Sequence, residues 1–428
     1  MKKSLSFEKK RTMAKNRQTP PSNPFYTTIN IPNKYFCDRE METAKMISML
    51  TNGNNIVLKA QRRIGKSSLI LHLFEQPEIK RYYNTIRVDL YKTVNEADFV
   101  KELSSSLLDA PFAKEQKIKK AIFEAIPEIK VYAKLNLGPV SAGVETALKQ
   151  QYEETISRIF KYLENTKKPN IVVFDEFQTI EDYPEKMSAL LRTYIQKMNN
   201  TKFIFSGSER HMLASMFNEN NKPFYKSALP MELLFIPRVT YSEFCKKLVE
   251  RNGRRIETEA TDLVYHLFMA NTFDMQQVMN VAYSVSLKGS TITTDTVKDA
   301  IDYILYDNDA YYREILAQCA TEKERNLLQC LAVEGLAGRL TSQEMINKYQ
   351  LGGASSIQSS LKKMTDYHKR IIVIKVGQNS YRLADKFFEL WLSQQIGILD
   401  KKYTQAKELF KKEMDCSEQL PKMARLDI

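Results

Sequence analysis

Residues 55–68 read NIVLKAQRRIGKSS and continue as LILHLF through residue 74. NIVLKA (55–60) is a near-continuous apolar run of strand length and LILHLF is helical in character, so AQRRIGKSS (60–68) joins a strand to a helix. A loop in that position turns backbone N–H groups toward one point, with a helix N-terminus behind them, and so holds phosphate. Gly65 lets the backbone come close to the phosphates, Lys66 reaches the β and γ oxygens, Ser67 is placed to ligate Mg2+, and Ser68 bonds nearby phosphate. Ala60 stands where such loops usually begin with glycine and is the smallest substitute. Gln61, Arg62, Arg63 and Ile64 complete the candidate nucleotide-binding set.

Some 110 residues further on, Ile171, Val172, Val173 and Phe174 end in Asp175 and Glu176. Acidic residues at the end of a buried strand, paired with a phosphate loop, divide the work of hydrolysis: Asp175 holds Mg2+ and Glu176 polarises the attacking water. A Glu directly after the Asp also implies the ASCE division of P-loop proteins, with an extra strand between the loop strand and the acidic strand. The next strand along the chain, KFIFSGSER (202–210), brings Ser206 and Ser208 to the same edge as candidate sensors of the γ-phosphate. The implied ligands are ATP or ADP with Mg2+. Glu176, Lys66, Ser206 and Ser208 form the candidate catalytic group, and Ser67 and Asp175 the metal ligands.

Further apolar runs at TIRVDLY (85–91) and MELLFI (231–236) alternate with helical stretches, as in an α/β parallel sheet with crossover helices. The expected P-loop NTPase core spans 25–236. Within it, residues 94–168 exceed one crossover helix, and IKVYAKLNLGPVSAGVET (129–146) alternates around a glycine like a hairpin. The helical stretches YSEFCKKLVERNG, ATDLVYHLFMANT and MQQVMNVAYSVSLKG predict a lid over 237–310. Three further helices and a hairpin turning at GQNS (377–380) predict a C-terminal winged helix-turn-helix over 311–396, and 397–428 form a tail.

At 428 residues the chain is long enough for several domains, and 43% hydrophobic with 27% charged residues suits a globular protein. No apolar run reaches the ~18–20 residues that span a bilayer, so no membrane partner and a cytoplasmic location are expected. The five cysteines show no CxxC spacing and read as reduced and metal-free. Of the net charge of +13, residues 1–24 carry seven Lys or Arg against Glu8, which leaves +7 on the rest and marks a flexible basic tail.

With these residues in place, the chain resembles the archaeal-type P-loop ATPase family of the AAA+ and STAND group, related in architecture to replication-initiator ATPases, over about residues 30–395. YFCDRE (35–40) is similar to the family's FxGRE motif with Asp38 for glycine, AQRRIGKSSL to its GxRRxGKTSL loop, VVFDEFQ to its acidic strand, FIFSGS to its sensor strand, and ADKFFELWL to its closing D-x-x-F-x-x-W segment. The resemblance implies that Arg39 and Glu40 border the adenine and that Phe36 flanks the base. Two positions depart from the pattern. PFYKSA (223–228) replaces PLYGR, leaving Lys226 or Arg238 where an arginine acting across an oligomer is expected, and MANTFDMQQ (269–277) replaces a GxP-type turn, so no lid arginine is assigned to phosphate.

In ASSIQSSLKKMTD (354–366), Ile357, Leu361 and Met364 share a buried face. Ser356, Ser359, Lys362 and Lys363 then point outward, and with Lys369, Arg370 and Lys375 on the following hairpin they form a candidate double-stranded DNA contact. A winged helix also docks proteins, and a homo-oligomer stays open. Three functions follow: a nucleotide-gated switch of STAND type with slow ATP hydrolysis, which the intact acidic pair and altered finger favour; an ATPase motor or remodeller acting on DNA; and a DNA-binding regulator with a structural nucleotide.

Overall fold

Alternate residues of one strand serve two separate cores. Val172 and Phe174 pack with Val57, Val88, Phe203 and Phe205, whereas Ile171 and Val173 pack with Ile56, Leu58 and Ile204. Successive side chains of a strand point to opposite faces, so a run without polar alternates is covered on both. The computed structural model describes residues 23–129, 142–184, 186–366, 371–376 and 379–419. In it these runs form β1 (Ile56–Ala60), β2 (Asn84–Asp89), β3 (Asn170–Asp175), β4 (Thr201–Gly207) and β5 (Leu229–Leu233). All pairings are parallel and the spatial order is β2-β3-β4-β1-β5. The fold is the expected α/β P-loop type, with β4 interposed between the loop strand and the acidic strand. β5 starts two residues before the expected MELLFI run and ends at Leu233.

One face of the sheet is unusually aromatic. Phe174, Phe177, Phe203, Phe205, Phe217 and Phe224 are mutually packed, with Phe177 and Phe205 ring centres 4.6 Å apart. Burying each such ring stabilises by about 1.5–3 kcal/mol, so this face anchors the strand ends that carry the chemistry.

Residues 94–168 hold the helices Glu96–Asp109, Gln116–Ala125 and Ala142–Glu164. Of the hairpin expected over 129–146, residues 130–141 lie outside the described residues, and 142–146 are helix instead. The run ALKQQYEE (147–154) is a strong helix former and propagates back through Ala142.

The chain divides into two compact units. Among the described residues, those within 27–241, 264–275 and 403–419 form one and those within 23–26, 242–263 and 276–402 the other, so the segment expected as a lid is divided between them. The basic tail is outside the described residues as far as 22, but Asn23 already bonds the Asn280 carbonyl at 2.7 Å, and Phe25 is fully buried against Tyr283.

The second unit contains helices, a two-residue parallel pair β6 (Arg255–Ile256) and β7 (Thr291–Ile292), and the winged helix. The latter comprises the helices Glu322–Glu334, Gln343–Tyr349 and Ala354–Met364 with β8 (Ala337–Gly338), β9 (Val373–Val376) and β10 (Ser380–Leu383) in the order β8-β10-β9. Gly377 and Gln378 of the expected turn lie outside the described residues. The closing ADKFFELWL segment is structural here. Asp385 caps the helix Lys386–Gln395 through the amides of Phe387 and Phe388, and the buried Trp391 donates its indole N–H to Asp309 at 3.0 Å. Cys37, Cys245, Cys319 and Cys330 are buried and form no disulfide among the described residues.

Candidate active site

The site lies at the C-terminal ends of β1, β3 and β4, where a parallel sheet with crossover helices leaves its ligand crevice. β1 delivers the loop and β3 the acids. Ala60 ends β1 fully buried, and Ile64 tucks into the core beneath the loop. Arg63 (φ 65°) and Gly65 (φ 92°) are left-handed, a backbone shape that turns successive N–H groups toward one side. Glycine is demanded at 65 by that φ, while a Cβ there would project into open space. The helix Lys66–Phe74 starts directly behind the loop.

Lys66 and the two acids meet. Lys66 Nζ lies 2.6 Å from Asp175 Oδ1 and 2.8 Å from Glu176 Oε1, and Ser67 Oγ donates to Asp175 Oδ2 at 3.0 Å. Ser206 Oγ donates to Asp175 Oδ1 at 2.7 Å, and Ser208 donates through both N–H and hydroxyl to Glu176 Oε2 at 3.1 and 2.9 Å. The candidate catalytic and metal residues are therefore brought together, with the two serines touching the acids. Lys66 has three N–H donors and directs two to carboxylates, leaving one for a phosphate oxygen. The oxygens of Ser67 and Asp175 are hard donors of the kind Mg2+ takes when substrate phosphates and water supply the rest of its shell.

Sequence reasoning did not single out Arg87 and Gln178. Arg87, flanked by buried Ile86 and Val88 on β2, reaches Asp175 Oδ2 at 2.7 Å and Asp89 at 3.3 Å; a cation in so apolar a strand signals an acidic partner. Gln178 donates to Glu176 Oε2 at 2.7 Å. Burial alone would raise the Asp175 carboxyl, but the Lys66 ammonium and Arg87 guanidinium, with hydrogen bonds from Lys66 and Ser206, hold it well below the carboxylate range. In Glu176 the same opposition of burial by Lys66 and Gln178 also ends in a lowered value. Glu176 is itself left-handed (φ 54°), a strain on the order of 1 kcal/mol for a residue with a side chain.

The residues expected near the base are arranged differently. Asp38 (φ 59°) and Arg39 (φ 80°) form a left-handed pair, a region that Asp tolerates and that suits the glycine of the FxGRE pattern. Arg39 is buried, and its guanidinium binds Glu42 at 2.6 Å and the Leu234 carbonyl at 2.6 Å. Phe36 stacks face to face on His72, with ring centres 4.0 Å apart, while Glu40 is exposed at the start of its helix. In MANTFDMQQ, Met269 and Ala270 take positive φ where a GxP-type turn was expected; Phe273 N–H then donates to the Arg63 carbonyl at 3.0 Å, and Arg63 pairs with Asp274 at 3.3 Å. Lys226 is exposed, its ammonium over the Tyr225 ring.

On the winged helix, Ser359, Lys362 and Lys375 are exposed and Ser356 is half-buried. Lys363 also faces outward but is ion-paired with Glu324 at 2.9 Å. Lys369 and Arg370 lie outside the described residues.

Comparison with known proteins agrees with this geometry. A family described as an ATPase domain predominantly from Archaea matches residues 36–278, and a probable winged helix domain matches 310–394. A Walker-type ATPase of Pyrococcus abyssi superposes with a TM-score of 0.57 at 19% identity, covering 86% of this chain and 99% of that one. The ORC2 protein of Aeropyrum pernix, solved as ADPNP–ADP complexes, superposes at 0.54 with 14% identity, covering 91% and 98%. Among curated protein sequences none matches. With its matched ATPase domain spanning more than half its length, the chain belongs to the family of ATPases found predominantly in Archaea.

Proposed function

We propose that this protein binds ATP with Mg2+ across the loop and the acidic strand, hydrolyses it slowly, and uses the bound nucleotide as a switch on its winged-helix module. The observation that carries the reading is the meeting of Lys66, Ser67, Asp175 and Glu176 within 3.0 Å contacts at one sheet edge. The loop amides and the free N–H of Lys66 bind the phosphates. Ser67 and Asp175 would hold Mg2+, which supplies charge neutralisation between the β and γ phosphates. Glu176 orients the attacking water and takes up its proton, while Gln178 and Ser208 fix the carboxylate in place. An intact acidic pair beside an altered finger position, PFYKSA at 223–228, supports slow turnover and hence a switch.

A DNA-acting ATPase is the second reading, favoured by the exposed Lys362 and Lys375 on one module. Steady-state phosphate release by the purified chain, with and without duplex DNA, separates the two. Slow DNA-independent turnover that Glu176→Gln abolishes, with ATP binding kept, supports the switch; strong stimulation by DNA supports the motor. Equal rates for parent and Glu176→Gln remove the catalytic assignment.

A further inference from the structure

We propose that Arg62 is a catalytic arginine acting in cis, supplying the positive charge that stabilises the phosphoryl group as it leaves ADP; the inference rests on the ATPase reading above. The arginines around the site divide into two kinds. Arg39 is bound to Glu42 at 2.6 Å, Arg63 to Asp274 at 3.3 Å, and Arg87 to Asp175 at 2.7 Å. Arg62 is half-buried in the loop and forms no ion pair among the described residues. Its one hydrogen bond among them runs from Nε to Ser208 Oγ at 3.3 Å.

That bond places it in the site. Ser208 Oγ accepts from Arg62 and donates to Glu176 Oε2, so the guanidinium stands one hydroxyl away from the water-orienting carboxylate. It is not there as the counterion of Glu176. Oε1 of that carboxylate is taken by Lys66, and Oε2 already receives Gln178 and two donors from Ser208. Arg62 has five N–H donors and uses one, which leaves a planar fork of four at the rim of a phosphate loop. A half-buried guanidinium without a carboxylate partner is matched by an anion that arrives with the substrate, and the fork suits two phosphoryl oxygens.

In hydrolysis the water oxygen bonds to the γ phosphorus as the bond from that phosphorus to the bridging oxygen breaks. The electron pair stays with ADP, and the water proton passes to Glu176 and on to solvent. Negative charge gathers on the γ and bridging oxygens, where Arg62 donors would strengthen their bonds only as the reaction proceeds.

The test compares parent, Arg62→Ala, Arg62→Lys and Glu176→Gln as full-length chains. Arg62→Ala is expected to lower turnover about 100-fold or more while changing ATP affinity only about threefold, with Arg62→Lys between it and the parent. Titration with Mg2+, ADP and aluminium fluoride, which mimics the transferring group, should show tight capture by the parent and none by Arg62→Ala, although both bind ADP alone equally. Parental turnover per mole of protein should stay constant on dilution, as a cis residue requires. Turnover by Arg62→Ala at the parental rate, equal losses of ADP and ADP–aluminium fluoride affinity, or specific activity that falls on dilution each overturn the inference. Parent turnover no higher than the protein-free background is the separate outcome that removes the ATPase reading and this inference with it.

Discussion

Gly207 and Gln178 occupy one volume: a Cβ on residue 207 would sit 2.0 Å from Gln178 Oε1. The carboxamide can turn its N–H toward Glu176 at 2.7 Å only because β4 ends in a residue without a side chain.

Gly207→Ala is therefore expected to push Gln178 off Glu176 and lower turnover about tenfold, the effect of one hydrogen bond to a charged group. Nucleotide affinity should not change, and Gln178→Ala should reproduce the loss. Single-turnover hydrolysis alongside ADP titration checks it; a parental rate in Gly207→Ala would show that Gln178 does not position the carboxylate.

Lys66→Ala should abolish ATP binding, because it removes the cation that faces both acids and phosphate. It should also destabilise the nucleotide-free protein by about 3 kcal/mol, the low end for stripping a buried pair, since Arg87 remains on Asp175. Urea unfolding without nucleotide measures this second effect, and an unchanged midpoint would mean that Arg87 alone satisfies the acids.

The pH dependence has a definite sign. Asp175, Glu176, Glu324 and Glu334 are all held below the usual carboxylate range in the fold, so the unfolded chain binds more protons in acid. Their contribution is fully present above about pH 5 and is lost as pH falls through the unfolded values near 4 toward the lower folded ones. Unfolding midpoints between pH 3 and 6 should rise with pH and level off. A flat profile would show that these acids carry no net proton linkage.

For the winged helix, Lys362→Glu together with Lys375→Glu should weaken duplex binding at low salt and make the salt slope shallower by about 0.9 for each phosphate no longer neutralised. Lys363→Glu should matter less, since that ammonium is already engaged by Glu324. Affinity across a salt series decides this. Should both changes leave it untouched, the module is read as a protein-docking surface.

The loop, the acidic strand and the interposed strand are legible because each carries its requirement in a short span: a left-handed glycine, a hydroxyl beside a lysine, two acids ending an apolar run. Arg87 and the bond from Arg62 to Ser208 are not, because partners 88 and 146 residues apart meet only through the sheet order, and Gln178, two residues from Glu176, reaches it only through the turn that follows β3. The pairing of Lys363 with Glu324 is of the same kind, and no local pattern distinguishes it from a free basic face. The helix over 142–146 escapes a reading by alternation, because alternation around a glycine imitates a hairpin when the helix former lies downstream.

β4 also acts as a phase gauge. Its Ser206 must face Asp175, and a slip of one residue would turn that hydroxyl to the opposite side of the sheet. Backbone pairing alone would tolerate such a slip, but the two cores would not. It would drive the Phe203 and Phe205 rings into the space shaped for Ile204, on the aliphatic side. The phase of the catalytic edge is thus kept by the unequal bulk of the two apolar layers behind it. Core substitutions that even out those layers should yield well-folded proteins with a mistuned catalytic edge.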